Sequence, residues 1–103
     1  MTEQASIAVW FVYIIQTTTG ILYTGIATDV ERRFTEHCAT YHGQPKSLVK
    51  KGAKFFRGHQ PERVVYKEAV NSRSEATKRE LAIKKMSRAA KLKLLDDTLA
   101  DSA

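Results

Sequence analysis

The sequence predicts an α+β domain in which a small three-stranded antiparallel β-sheet is flanked by helices. Three short segments rich in β-branched and aromatic residues have the composition of strands: 7–15, 21–27 and 62–70. Helix-start patterns follow the second and third of these segments, which gives the element order ββαβαα. The chain has 103 residues, enough for one domain with a modest core. We expect that domain to span 7–99, with a disordered tail at 1–6 and a second tail at 100–103.

The first two strands are expected to form a hairpin around Thr17-Thr18-Thr19-Gly20. This turn sequence favours a three-residue loop with the glycine at a positive φ. An odd-numbered loop places Tyr13 and Tyr23 on the same face of the sheet, opposite or diagonal to each other. A two-residue loop would place them on opposite faces. Each ring alone is more typical of half-buried strand packing than of chemistry.

Each predicted helix has a capping residue at its start. Thr28 with Glu31, and Ser72 with Glu75, have the spacing of a capping box. Ser87 can cap a last helix. The expected helices end at about residues 39, 86 and 99.

The first helix leaves directly after the second strand. Val30 and Phe34 would form its buried side, and Arg33 and His37 lie one turn apart beside them. We therefore expect a guanidinium and an imidazole over the sheet face that carries both tyrosines. A solvated arginine and a structurally hydrogen-bonded histidine are the alternatives.

Composition argues against a membrane protein, a secreted protein and a protein with cysteine-based sites. The apolar run at 7–15 is too short to span a bilayer, and no Lys or Arg precedes Arg32 as a secretory signal would require. Cys38 is the one cysteine, so neither an internal disulfide nor a cysteine-based zinc site is expected. These features favour a reducing cytoplasm and no membrane partner.

The basic charge is concentrated in one segment. The net charge is +6, and no acidic residue occurs between His37 and Pro61. That stretch, expected to be mostly loop with a short helical turn near 47–51, carries the candidate nucleic-acid-binding residues Lys46, Lys50, Lys51, Lys54 and Arg57. This pattern favours a polyanion partner over charge that serves only solubility.

Several motifs together resemble a known family. Val12-Tyr13-Ile14, Tyr23-Thr24-Gly25 and Glu31-Arg32-Arg33-Phe34 with His37 look like the GIY-YIG nuclease domain. The segment 79–85 is similar to the family's glutamate-bearing helix. Gly52-Ala53-Lys54 and Val64-Val65-Tyr66 resemble its small stand-alone bacterial YhbQ/YazA-type branch. The resemblance covers about residues 9–95, with Phe11 and Thr24 replacing a glycine and an isoleucine of the motifs.

The resemblance implies a fold and a chemistry. The fold is a three-stranded antiparallel sheet with helices, and the activity is hydrolysis of DNA phosphodiesters with one Mg²⁺ or Mn²⁺ ion. The implied catalytic residues are Tyr13, Tyr23, Arg33, His37 and Glu80. Glu80 is also the implied metal ligand, and Gly25 is a structural residue of the second motif.

These roles agree with elementary chemistry. A free phenol has a pKa of about 10 and is a poor base near neutrality unless a cation lowers that value. Arg33 suits a phosphate that gains charge in the transition state. A single carboxylate such as Glu80 fits magnesium, which keeps waters and takes oxygens from substrate phosphate. Pairing of Glu80 with Lys84 along the helix is the structural alternative, and the sequence leaves open which tyrosine is the base.

Three functions remain in competition. The first is an endonuclease of low sequence specificity that selects single-stranded or branched DNA, in repair or recombination. The second is a nucleic-acid-binding module with little or no turnover. The third is an interaction domain that needs a protein partner. The intact set of Tyr13, Tyr23, Arg33 and Glu80 favours the first.

Overall fold

The computed structural model describes residues 9–43 and 54–102 and has the predicted α+β fold. The elements are β1 (Trp10–Thr17), β2 (Leu22–Ala27), α1 (Val30–His42), a 3₁₀ helix (Lys54–Arg57), β3 (Pro61–Val70), α2 (Arg73–Lys84) and α3 (Arg88–Ser102). The strands are antiparallel in the order β2-β1-β3, so the most apolar strand is central. The expected tail at 1–6 and helical turn near 47–51 lie outside the described residues.

The central strand β1 is buried on both faces, so alternate residues supply two separate core clusters. Tyr13 and Ile15 point to the face covered by α1 and the 3₁₀ helix. Val12 and Ile14 point to the face covered by α2 and α3. No helix of the described chain is long and apolar enough to cross a membrane.

The β1–β2 hairpin confirms the predicted three-residue loop. The Thr17 amide donates to the Ile21 carbonyl at 2.9 Å, and Gly20 has φ +89°. In the resulting register Gly25 pairs with Tyr13, and Tyr23 pairs with Ile15. Because residues 13 and 15 share a face of β1, Tyr13 and Tyr23 lie on the same face as diagonal neighbours.

The predicted cap of α1 is wrong by one residue. Asp29, not Thr28, is the N-cap, since its extended backbone brings the carboxylate within 3.0 Å of the Arg32 amide. Glu31 is then too early to complete a capping box, and its carboxylate pairs with Lys67 of β3 instead. The helix continues to His42, three residues beyond the expected end, and stops at Gly43 with φ +66°.

The caps of the other two helices are as predicted. The Ser72 hydroxyl accepts from the Glu75 amide at 3.1 Å, and the Glu75 carboxylate accepts from the Asn71 amide at 3.1 Å. The Ser87 hydroxyl accepts from the Ala90 amide at 3.1 Å. Helix α2 ends at Lys84, two residues before the expected end, and α3 extends to Ser102, through most of the expected tail at 100–103.

Candidate active site

Tyr13 is the centre of a polar cluster between the sheet and α1. Its side chain is 1% exposed, and its hydroxyl oxygen lies 2.9 Å from Nε2 of His37, which is also fully buried. The Arg33 guanidinium, one helical turn before His37, lies close enough to this hydroxyl to lower its pKa. The structure therefore brings together the predicted phenol, imidazole and guanidinium. Gly25, on the facing strand, leaves space for the Tyr13 ring.

Tyr23 lies at the more open side of the same cluster. Its ring centroid is 6.5 Å from that of Tyr13 and 5.5 Å from that of His37. It is half-buried, because Phe56 of the 3₁₀ helix packs edge-on against it at 4.6 Å. The two tyrosines thus have different environments, one enclosed and one accessible.

His37 and Tyr13 share one buried hydrogen bond. Nδ1 of His37 is buried and has no hydrogen-bond partner in the described part of the chain. With the imidazole proton on Nε2, His37 donates to the Tyr13 oxygen and the phenol proton has no acceptor among the described residues. With the proton on Nδ1, the phenol donates to Nε2 and the Nδ1–H is the donor without an acceptor. Each tautomer therefore leaves one buried donor of the pair unsatisfied by the described residues.

Burial sets the charge states of the cluster. Burial raises the pKa of Tyr13 far above its usual value, with a further increase from Tyr23, while Arg33 acts in the opposite direction. Burial also raises the pKa of Tyr23. Burial and the Arg33 charge lower the pKa of His37 to about 3. At neutral pH both phenols and the imidazole are uncharged, and Arg33 is the cation facing them.

Arg33 is held in place from its own helix. Its guanidinium pairs with the Glu36 carboxylate at 2.9 Å, and their side chains are 21% and 13% exposed. This ion pair orients the planar fork while leaving part of it accessible to solvent. Glu36 was missed by sequence reasoning, although its position three residues after Arg33 is the spacing of a helical ion pair.

Glu80 approaches the tyrosines from the helix layer on the other face of the sheet. It lies on α2 between the buried residues Ala76 and Ile83, and its side chain is 18% exposed. Its negative charge contributes to raising the pKa of both Tyr13 and Tyr23, so its carboxylate is within electrostatic reach of both phenols. The predicted pairing with Lys84 is also present, at 3.2 Å.

The carboxylate and imidazole groups of the site limit which metal ion it could hold. The described residues include no group of three or more His, Cys, Asp or Glu side chains that could hold one. Glu80 offers a partly exposed carboxylate within electrostatic reach of the phenols. This sparse set fits magnesium, which keeps several waters and binds through one or two carboxylates plus substrate phosphate.

The five candidate nucleic-acid-binding residues at 46, 50, 51, 54 and 57, called the basic rim below, are only partly described by the structure. Lys54 and Arg57 are exposed at the two ends of the 3₁₀ helix that packs on Tyr23. The other three candidates, Lys46, Lys50 and Lys51, lie outside the described residues. The 3₁₀ helix itself was not predicted, because the sequence there has no helical or strand periodicity.

Comparisons with known proteins identify a family and several relatives of this chain. Residues 9–93 match the GIY-YIG catalytic domain. A UPF0213 protein of Desulfotalea psychrophila is 47% identical over 76% of this chain, and the match spans 63% of that protein. A UPF0213 protein of Cupriavidus pinatubonensis is 46% identical over 81% of each chain. The solution NMR structure of a UPF0213 protein from Bacillus halodurans covers 85% of this chain and 83% of its own, with 38% identity and a TM-score of 0.50.

A small antiparallel sheet that carries two diagonal tyrosines, with a helix arginine and histidine above them, defines a GIY-YIG-type domain. The match over residues 9–93 establishes that the chain belongs to the GIY-YIG catalytic domain family. The resemblance read from the sequence motifs is confirmed, and the relatives named above are small bacterial UPF0213 proteins.

Proposed function

We propose that this chain is a divalent-metal-dependent endonuclease that hydrolyses DNA phosphodiester bonds with low sequence specificity. The observation that carries the proposal is the convergence of Arg33 and His37 on the Tyr13 hydroxyl, at 2.9 Å for His37. Burying three polar groups together is unfavourable unless they are mutually hydrogen-bonded. Strongly shifted pKa values in such a cluster are typical of catalytic sites.

Arg33 is the phosphate-binding group of this proposal. It is permanently charged, partly exposed and oriented by Glu36. A planar guanidinium matches two oxygens of a phosphate, and its charge stabilises the additional negative charge of the transition state. Since the Arg33 charge acts on the Tyr13 hydroxyl, a phosphate bound to Arg33 would lie near the phenol oxygen.

We assign Tyr13 as the residue that accepts the proton of the attacking water. The resting phenol is neutral, so Tyr13 must release its own proton to solvent before its oxygen can accept one from the water. The Arg33 charge favours the phenolate, because it lowers the pKa of Tyr13, whereas the negative charge of Glu80 raises that pKa. Neutralising Glu80 therefore favours ionisation of Tyr13. Tyr23, which is more accessible, would position the water or the phosphate.

Glu80 is the residue that would hold the divalent ion, Mg²⁺ or Mn²⁺. When bound, the ion supplies Lewis-acid polarisation of the phosphate and lowers the pKa of coordinated water. The Glu80 side chain is partly exposed and within electrostatic reach of the phenols, which supports this assignment. Lys84 neutralises the carboxylate in the absence of the ion.

We further propose that the enzyme selects single-stranded or branched DNA and acts in repair or recombination. The exposed cations Lys54 and Arg57 flank the site, and the segment 44–53 adds three more lysines in sequence. Lysine and arginine contacts to phosphates carry no base information. Selection by backbone shape is therefore the simplest source of specificity.

One observation favours a second candidate, a nucleic-acid-binding module without turnover. Tyr13 is 1% exposed, so the proposed proton acceptor is buried away from solvent. Water must reach its oxygen past Tyr23 and Arg33, the accessible members of the cluster. A site that never opens would bind DNA and leave it intact.

A cleavage assay separates the two candidates. Single-stranded, duplex and branched DNA are incubated with the protein in Mg²⁺, Mn²⁺ or EDTA. We expect metal-dependent cutting that is lost in Tyr13→Phe and in Glu80→Gln. The matched controls are Tyr66→Phe, which removes a buried strand hydroxyl on the other sheet face, and Glu62→Gln, which removes an exposed carboxylate from β3.

Both controls are expected to cut like the wild type. Binding to all three DNAs with no cutting in either metal would support the second candidate. Cutting that survives in both Tyr13→Phe and Glu80→Gln would show that the activity comes from elsewhere.

A further inference from the structure

Three aromatic rings form a continuous stack that begins at the candidate site. Phe55 stacks on Tyr23 with ring centroids 5.3 Å apart and planes at 25°. His59 stacks on Phe55 at 4.1 Å with planes at 2°. Rings this close cannot share one face of Phe55, and the described ring contacts include none between Tyr23 and His59. Tyr23 and His59 therefore cover opposite faces of Phe55.

His59 is the outermost ring of this stack among the described residues. Phe56 is 0% exposed between His37 and Tyr23, and both faces of Phe55 are occupied. His59 is half-buried, and within the described chain its one ring contact is Phe55. Its second face is directed away from Phe55 and meets no other ring of the described residues.

The orientation of the His59 imidazole is fixed before any ligand binds. Nδ1 of His59 lies 2.9 Å from the Phe55 carbonyl oxygen, so Nδ1–H donates and the ring cannot rotate freely. A preordered flat surface loses little conformational entropy when a ligand stacks on it. Lys54 and Arg57 are exposed on the 3₁₀ helix that carries Phe55, where they can neutralise phosphates beside such a ligand.

We propose that the outer face of His59 is a stacking platform for an unpaired nucleobase of the DNA strand that reaches Arg33. The inference rests on the proposed nuclease function and names its substrate class as DNA with unpaired bases. Nucleobases stack on aromatic side chains regardless of sequence, whereas bases inside a duplex are already stacked on each other. The platform therefore discriminates single-stranded and branched DNA from plain duplex.

The competing explanation is that His59 only packs the 3₁₀ helix onto the sheet. Loss of the ring would then lower stability and leave DNA binding unchanged. The two explanations predict different effects on DNA binding when the imidazole is replaced by other side chains. A larger aromatic ring preserves a platform, whereas a lysine preserves only a positive side chain.

The test measures binding without turnover, in EDTA. Labelled single-stranded and duplex oligonucleotides are titrated with wild type, His59→Ala, His59→Lys and His59→Trp, and Gln60→Ala is the neighbouring control. We expect single-strand affinity to fall about tenfold in the Ala and Lys variants, as loss of one stacked base implies. His59→Trp and Gln60→Ala should bind like the wild type, and duplex affinity should not change in any variant.

A second measurement compares fluorescence in the wild type and one variant. A single strand carrying scattered 2-aminopurine reports stacking as fluorescence quenching, and quenching that His59→Ala lacks supports the platform. Unchanged single-strand binding in His59→Ala, equal losses on both DNAs, or full binding by His59→Lys would each overturn it. If the wild type binds no DNA, the proposed function fails; if it binds and cuts while His59→Ala matches it, only the platform fails.

Discussion

Gly25 lies directly beneath the hydroxyl of Tyr13, where no larger residue fits. A Cβ atom on Gly25 would be 2.5 Å from the Tyr13 hydroxyl oxygen and 2.7 Å from Cζ. The two residues are cross-strand partners, so the ring extends from the central strand across β2. The glycine of the second motif is thus required by space rather than by a positive φ. It allows the Tyr13 oxygen to meet the side chains of α1.

Replacing Gly25 by alanine should therefore displace the Tyr13 ring. We expect Gly25→Ala to lower the free energy of unfolding by roughly 1–3 kcal/mol, as overpacking a core does. We also expect it to abolish cleavage, because the Tyr13 oxygen moves away from His37 and Arg33. Urea unfolding and the cleavage assay measure the two effects. Gly58→Ala is the control, since its Cβ would meet nothing within 4 Å; normal cleavage by Gly25→Ala would contradict the geometry.

His37 should make stability depend on pH. The pKa of His37 is about 3 in the folded protein, whereas an unperturbed histidine, as in the unfolded chain, has a pKa of 6.5. Between these two values the unfolded chain binds the proton and the folded protein does not. The free energy of unfolding is then unaffected by His37 above pH 6.5 and falls as pH decreases toward 3. Tyr13, Tyr23 and Arg33 face the ring, and none of them titrates in that window.

The size of this effect is roughly 1–2 kcal/mol between about pH 7 and pH 5. Urea unfolding at both pH values should show it in the wild type and not in His37→Gln. Gln60→Ala, which removes no titratable group, should retain the wild-type slope. Equal pH slopes for wild type and His37→Gln would mean that His37 is protonated in the folded protein.

Thr24 is a polar residue placed in an apolar layer. It is 3% exposed, and its hydroxyl has no hydrogen-bond partner among the described residues. It pairs with Ile14, whose side chain faces α2, away from the Tyr13 cluster. Thr24→Val should therefore raise the free energy of unfolding by about 1 kcal/mol and leave cleavage unchanged. A loss of stability in urea unfolding would show that the hydroxyl is satisfied.

The hairpin and the shared face of its two tyrosines were predictable from the turn sequence and from the odd number of residues in the loop. Thr-Thr-Thr-Gly specifies an odd loop, and an odd loop fixes Tyr13 and Tyr23 on one face. The helix starts at Ser72 and Ser87 follow from a local side-chain-to-backbone bond. Thr28 and Asp29 are both good caps, and the backbone at the end of β2 decides between them, which the sequence does not encode locally.

The remaining features of the site depend on tertiary contacts. The 2.9 Å contact between Tyr13 and His37 requires a particular height of α1 above the sheet. The stacking of His59 on Phe55 occurs in a segment without hydrophobic periodicity. Of the residues proposed for the basic rim, Lys54 and Arg57 are located on the 3₁₀ helix. The assignment of all five residues to nucleic-acid binding stays a prediction.

Charge reversal of the rim tests whether this segment binds the DNA backbone. We expect Lys50→Glu/Lys51→Glu/Lys54→Glu to weaken single-strand binding and to flatten its salt dependence. The log–log slope should decrease by about 0.7 for each phosphate that the protein no longer neutralises. Arg57→Glu should act in the same direction with a smaller change. Filter binding or fluorescence anisotropy over a range of salt concentrations measures the slope.

The control for the rim is Lys93→Glu. Lys93 is exposed on α3, and the adjacent Leu94 and Leu95 pack on the sheet, so Lys93 is directed into solvent on the helix layer opposite the Tyr13 cluster. Its reversal changes the net charge in the same direction, so a general electrostatic effect would appear in both variants in proportion to the charge reversed. A salt slope that is unchanged in the rim variant, or changed as much per charge in Lys93→Glu, would place the DNA backbone elsewhere.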